Sequence, residues 1–353
     1  DSLVERLSAL GGGKERKGSS IKLTIDARLT AYVSEIFPEG YRGAVVIQNY
    51  ATGEVLSWVS KPDYDPYNAG GDSVEDTAYL NRCLQGLYTP GSVFKLVTLA
   101  SAIESDPNVL NQTFLCNGTW EYEGGKIVCA GKTAHGEITL ATALEKSCNV
   151  TFGKLAYQLG LDRLRATAEK LGFNENLKFE DFTIYNSQFP NSISNMSDLV
   201  WAGIGQGKVL VTPMHMAMIT SSIANGGAMV KPTLVQQITK STGVIVQGAH
   251  SPTYRQVISE DTARIISDYM YRAVQSGTAK RAAIAGYEVC GKTGSAETSD
   301  DKTIETNSWY TGFIRDSRYP YAIAVVIEQG GAGSRLASEL ASDALKYAIE
   351  LNS

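Results

Sequence analysis

Ile21-Lys22-Leu23-Thr24-Ile25 alternates apolar and polar positions with period two, as a strand with one face on a core does, and Arg28 to Phe37 carries helical spacing. Gly43 to Ser60 predicts a hairpin: Ala44-Val45-Val46-Ile47, a turn around Thr52-Gly53, then Glu54 to Val59. From Asn81 to about Ala224 the periodicity is mainly helical, with Leu140 to Leu159 and Leu161 to Leu171 amphipathic and Met214 to Ala224 more apolar. A further helix, Glu260 to Val274, precedes three strand candidates, Tyr287 to Thr293, Ser308 to Ile314 and Tyr321 to Glu328, and a helix over Leu336 to Leu351 closes the chain. Strands at both ends with helices between them require distant segments to complete one sheet. The expectation is an α+β fold, an antiparallel sheet flanked by helices plus a mostly helical lobe. Residues 1–40 read as an N-terminal segment and linker, on the strength of Gly11-Gly12-Gly13 and the charged run after it. Residues 41–353 read as the domain proper, with an α/β lobe over 41–80 and 255–353 and a helical lobe over 81–254.

Composition narrows the function classes. With 43% hydrophobic residues in 353, whole-chain disorder is excluded. The balance of 32 Lys+Arg against 37 Asp+Glu lacks the basic excess that nucleic-acid binding requires. The uncharged run Val209 to Val230 contains Thr212-Pro213, His215 and Asn225-Gly226-Gly227, so it reads as a buried helix and a turn instead of a membrane span. The charged opening Asp1-Ser2-Leu3-Val4-Glu5-Arg6 is no secretion signal, and the residues read as a soluble piece cut from a longer, anchored protein. Five scattered cysteines without C-x-x-C spacing argue against a structural zinc. Cys116 and Cys129 flank a glycine-containing loop, which leaves a single bridge between them open in an oxidising compartment.

The chemistry starts at Thr89-Pro90-Gly91-Ser92-Val93-Phe94-Lys95, which runs into the apolar Leu96-Val97-Thr98-Leu99-Ala100. Pro and Gly ahead of a helical run put Ser92 in the first turn, where the helix dipole favours developing negative charge. Lys95 follows one turn later on the same face, so its amine is a candidate base for the Ser92 hydroxyl. S-x-x-K alone is weak, being expected about once or twice by chance in a chain of this length. Two other matches fail on context: Ser19 to Lys22 runs into a strand, and Ser299 to Lys302 has no apolar helix after it. Specificity comes from Ser147-Cys148-Asn149, the only S-x-N in the chain, and Lys292-Thr293-Gly294, the only K-T-G, which follow in that order.

On these motifs the chain resembles the transpeptidase domain of penicillin-binding proteins, most closely the monofunctional class B type, within the serine β-lactamase and transpeptidase superfamily. The likeness extends through Tyr88 to Lys95, His135-Gly136, Gly205-Gln206-Gly207 with Val211-Thr212-Pro213, Ala224 to Gly227 and Lys292 to Glu297, and covers roughly residues 20–350. One departure is Cys148, where the common middle motif has Asp. The resemblance implies that Ser92 is acylated by a D-Ala-D-Ala stem peptide, or by a β-lactam, and that the acyl group passes to an amine of a second stem peptide. It assigns proton acceptance to Lys95, proton relay and substrate-amide contacts to Ser147 and Asn149, and carboxylate binding to Lys292, Thr293 and Ser295 along the Gly294 strand. The backbone N–H groups of Ser92 and Ser295 would form the oxyanion hole, worth about 2.7–4 kcal/mol per donor. No cofactor or metal is implied. The implied partners are peptidoglycan stem peptides, β-lactam antibiotics and other cell-wall synthesis or division proteins, on the extracytoplasmic face of a bacterial membrane, reached through an anchor outside these residues. A D,D-carboxypeptidase, a β-lactam sensor domain acylated without turnover, a β-lactamase and a non-enzymatic scaffold share the same motifs.

Other readings of single motifs are weaker. Gly286 to Thr293 formally satisfies the phosphate-loop pattern, but no amphipathic helix begins at its Lys. None of His135, His215 and His250 has the surroundings of a catalytic triad, and no G-x-S-x-G elbow is present. Trp309 reads as packing beneath the K-T-G strand. Glu175, Glu180 and Asp181 occupy the region where a hydrolytic carboxylate would be sought, in a segment unlike the class A loop.

Overall fold

The computed structural model describes residues 18–70, 74–247, 253–297, 301, 303–333 and 335–352. The glycine-rich stretch at 11–13 and most of the Ser299 to Lys302 match lie outside the described residues.

One five-stranded antiparallel sheet organises the molecule, in the spatial order Val289–Ala296, Asn307–Ile314, Tyr321–Ile327, Gly43–Asn49, Val55–Lys61. The N-terminal hairpin therefore completes a sheet begun some 250 residues later, as the order of elements required. Strand parity divides the side chains between two cores. Val45, Ile47, Tyr310, Ile323, Val325 and Ile327 face the helices Ala27–Ile36 and Leu336–Glu350. Ala44, Val46, Trp309, Phe313, Ala322, Ala324 and Val326 face the helical lobe. Because both faces are covered, the central strands read as continuous apolar runs. The alanines let the helix Pro213–Ala224 approach closely, and polar contacts pin it: Thr220 to Thr311 at 2.5 Å and Ser221 to Gln48 at 3.2 Å.

Most predicted elements form within a residue or two of their expected bounds, and the differences have physical causes. Ala27–Ile36, ahead of residue 41, packs on the sheet through Leu29, Val33 and Phe37. Ser20–Leu23 does form a strand, but it pairs with Val235–Thr239 in a separate ribbon and leaves Ile21 60% and Leu23 46% exposed, so its alternation does not mark a core face. The amphipathic stretch from Leu140 divides into Leu140–Glu145 and Asn149–Lys170, with Ser147 at φ +53 between them, and the latter is kinked at Gly160, φ +74, where the two expected stretches part. The helical lobe also holds two small hairpin-like pairs, Thr113–Cys116 with Gly136–Thr139 and Thr119–Tyr122 with Gly125–Val128. Strands of four residues are too short to show a period.

Ile323 lies at the centre of the sheet and is fully buried. Ile323→Ala is expected to lower the unfolding free energy by about 2–5 kcal/mol in a urea titration.

Candidate active site

Ser92 lies half-buried in a single 3-10 turn, Gly91–Phe94, that continues into the helix Lys95–Ser105. Two glycines set the position of this turn. Gly91 has φ +56, and a Cβ there would come within 2.6 Å of the Ser295 carbonyl oxygen, so a larger residue would push the nucleophile turn off the K-T-G strand. Gly205, at φ +77, accepts a 2.8 Å hydrogen bond from the Gly91 N–H, and its own Cβ would meet the Gly91 carbonyl oxygen at 2.1 Å. Beneath the turn, Phe94 stacks on Phe189 and meets Phe173 edge-on. Trp309, fully buried and paired in register with Gly294, donates its indole N–H to the Thr89 carbonyl at 3.0 Å, tying the strand to the approach of the turn. Glu328 anchors the same approach by accepting from Arg82 Nε and the Tyr88 hydroxyl, each at 2.8 Å.

Lys95 is completely buried. Its Nζ donates to the Ser147 carbonyl at 2.8 Å, the Ser147 hydroxyl at 3.1 Å and Asn149 Oδ1 at 2.7 Å. Lys292, equally buried, donates from Nζ to the same Ser147 hydroxyl at 2.9 Å and to the Thr293 carbonyl at 2.8 Å. Residues 92–95, 147–149 and 292 therefore converge although they are widely separated in sequence. Desolvation pushes Lys95 down from near 10.5 to about 7, opposed by the Cys148 and Cys129 thiols. Desolvation, with the neighbouring Lys95 charge, holds Lys292 well below its ordinary value. Among the described residues no hydrogen bond joins Lys95 to the Ser92 hydroxyl; the amine is directed instead at the S-x-N motif. The Asn149 amide is engaged at both ends, its Nδ2 donating to the Val128 carbonyl at 2.8 Å, so its role here is to brace Lys95 and the loop.

Strand alternation separates the K-T-G side chains. Lys292 shares parity with Cys290 and turns toward the helical lobe, whereas Thr293 shares parity with Ser295. Thr293 Oγ1 donates to Thr278 Oγ1 at 3.0 Å. Ser295 is exposed, and its hydroxyl accepts from the Gly333 N–H at 3.2 Å while Gln206 Nε2 approaches its carbonyl at 3.4 Å.

Several sequence candidates prove to be structural. Buried His215 is satisfied on both nitrogens, by Ser187 Oγ at 2.7 Å and the Leu171 carbonyl at 2.9 Å, and desolvation takes it down to about 4. Glu175 is paired with Arg255 and Tyr254, and Asp181 accepts from the Leu234 and Val235 N–H groups at 2.7 and 2.9 Å. Cys290 is buried against Ser267. The expectation of scattered cysteines does not hold. Cys116, Cys129, His135 and Cys148 gather with their ligating atoms within 4.8 Å of one another, and Cys116 and Cys129 are free thiols 3.6 Å apart, not a disulfide. Separations of 13, 6 and 13 positions match no short motif, so the only signal was Cys148 inside S-x-N.

The family model of the penicillin-binding protein transpeptidase domain matches residues 43–346. The chain belongs to this family. Among curated members it is 28% identical over 352 residues to peptidoglycan D,D-transpeptidase PbpA of Mycolicibacterium smegmatis, covering 92% of this chain and 70% of that protein. It is 31% identical over 312 residues to stage V sporulation protein D of Bacillus subtilis, covering 83% of this chain but only 46% of that protein. The solved ceftriaxone acyl-enzyme complex of penicillin-binding protein A from M. tuberculosis superposes with a TM-score of 0.89 at 26% identity, over 98% of this chain and 83% of that one. For this penicillin-binding transpeptidase domain the expected α+β architecture is thus the observed one.

The buried amine has a consequence for stability. The unfolded chain keeps Lys95 protonated to near 10.5, whereas the native state releases that proton near 7, so unfolding takes up a proton between these limits and stability rises with pH. Between pH 7 and about 8.5, below the ionisation of unfolded cysteines, the urea midpoint is expected to climb. Lys95→Met should lessen that slope, with Lys292, also held below its ordinary value, keeping part of it.

Proposed function

We propose that this domain is a peptidoglycan D,D-transpeptidase with Ser92 as its nucleophile. The observation that carries the reading is the pair of buried lysines sharing the Ser147 hydroxyl, one of them brought down to about 7. A neutral Lys95 has a lone pair for the Ser92 proton, after rotation of the amine within the same turn. Ser92 Oγ then bonds to the penultimate carbonyl carbon of a D-Ala-D-Ala stem peptide, and the C–N bond to the terminal D-alanine breaks. The proton taken from Ser92 passes through the Ser147 hydroxyl to the departing amine. An amine of a second stem peptide reverses the sequence and receives the acyl group, closing the cross-link. The backbone N–H groups of Ser92 and Ser295, on segments that Gly91 brings into contact, are suited to the oxyanion. Thr293 and exposed Ser295 suit the carboxylate that stem peptides and β-lactams share, with Lys292 beneath them holding the Ser147 hydroxyl and the Thr293 carbonyl.

The acyl-enzyme that the M. tuberculosis relative forms with ceftriaxone supports acylation as the shared step. A β-lactamase reading finds no free carboxylate at Glu175 or Asp181, both engaged elsewhere. Peptidoglycan lies outside the cytoplasmic membrane, so the reading puts the domain on that face, among other cell-wall synthesis or division proteins. Among the described residues no helix is long and apolar enough to cross a membrane.

Intact-mass analysis after mixing with benzylpenicillin is expected to show one adduct of the whole drug mass that persists for many minutes and is absent in Ser92→Ala. Rapid drug hydrolysis would overturn the transpeptidase reading, and a folded protein with no adduct would overturn Ser92.

A further inference from the structure

The turn that ends the helix Glu260–Gln275 touches both the segment leading into S-x-N and the K-T-G strand, yet belongs to neither motif. Its anchor is Glu145, the last residue of the helix Leu140–Glu145, two positions ahead of Ser147. The Glu145 carbonyl accepts from the Thr278 N–H at 3.1 Å. Its carboxylate, 12% exposed, accepts from the Ser276 hydroxyl at 2.7 Å and lies 3.4 Å from an Arg272 guanidinium nitrogen. Gly277 is pressed against the same residue, since a Cβ there would come within 2.4 Å of the Glu145 carbonyl oxygen. On the other side of the turn, Thr278 Oγ1 accepts from Thr293 Oγ1 at 3.0 Å.

Two features separate this arrangement from ordinary packing. A carboxylate at the C-terminal end of a helix meets the negative end of the dipole, so Glu145 gains nothing from the helix Glu260–Gln275 that it abuts. Its charge is spent on holding the turn. The second feature is the hydroxyl pair. A threonine hydroxyl has one proton and two lone pairs, whereas a carboxylate only accepts. With its proton given to Thr278, Thr293 offers an incoming carboxylate lone pairs alone. Among the described residues Thr278 Oγ1 has no hydrogen-bond partner but Thr293, so its own proton is free to turn.

We infer that Glu145 and Thr278 form a latch between the two lobes that positions Thr293 for the carboxylate of its ligand. This rests on the carboxylate-binding role proposed for Thr293. Glu145 holds the turn at 276–278 through its carbonyl and its carboxylate, and the turn holds Thr278 against the strand. When the ligand arrives, the Thr278 hydroxyl donates to Thr293 Oγ1 and the Thr293 hydroxyl donates to the carboxylate; no covalent bond changes. Because Glu145 lies two residues ahead of Ser147, the same contacts set the separation between the S-x-N loop and Thr293. Both residues act through Thr293 and are positioning residues.

The test is the second-order rate constant for acylation of the whole chain by benzylpenicillin, followed by intact mass. Glu145→Ala, Thr278→Val and Thr293→Val are each expected to lower it about 3–10-fold. Glu145→Gln and Thr278→Ser, which keep the acceptor and the hydroxyl, should recover most of the loss. The double variant of Thr278→Val with Thr293→Val should be no slower than Thr293→Val alone, because one residue works through the other. Should Glu145→Ala fail to fold, Ser276→Ala at an exposed position, expected to slow acylation by the same route, and the threonine cycle decide. Thr278→Val at full rate beside a slow Thr293→Val would overturn the latch and leave the role of Thr293 standing. Losses that add in the double variant would make Thr278 a packing residue and overturn the latch as well. Thr293→Val at full rate would overturn the role of Thr293 and the latch together.

Discussion

Two ammonium groups forced out of water beside one hydroxyl are the constraint on which the rest of the molecule depends. Lys95 and Lys292 are both fully buried, and each points at Ser147 Oγ. Burying two like charges together is strongly unfavourable, and the system escapes by letting at least one amine go neutral. Desolvation therefore lowers both amines, and the sheet and the helical lobe close around them.

Closure is achieved by backbone against backbone. Gly91 against Ser295 and Gly205 against Gly91 are approaches that no side chain would permit. They bring the nucleophile turn from one lobe into register with the K-T-G strand of the other. Trp309 and Glu328 then hold the turn from the sheet side, through Thr89, Tyr88 and Arg82. A turn placed by main-chain contacts has little freedom to drift.

The S-x-N segment is the third arm of the site and the least supported by ordinary secondary structure. It occupies a break between two helices, with Ser147 in a left-handed conformation that non-glycine residues adopt at a cost of about 1–3 kcal/mol. Its hold comes from Asn149 on the Val128 carbonyl and from the Cys148 sulfur among Cys129, Thr151 and, through Cys129, Cys116 and His135. The Lys95 contacts and the thiol cluster are thus two sides of one loop.

The sequence by itself determined the strands and helices of the main sheet and its covers, because burial on one or both faces imprints periods of two and of 3.6 on the chain. It also determined the motif residues Ser92, Lys95, Ser147, Asn149 and Lys292, because their types in that order are rare by chance. What only tertiary structure decided is how they meet: Lys95 directed at Ser147 and Asn149, Glu175 drawn into an ion pair with Arg255, and Asp181 accepting from the Leu234 and Val235 N–H groups. The small strands at 113–139 and the cysteine–histidine cluster were illegible for the same reason. Their partners lie at irregular separations, and no local spacing encodes a contact that exists only once distant segments have been folded against one another.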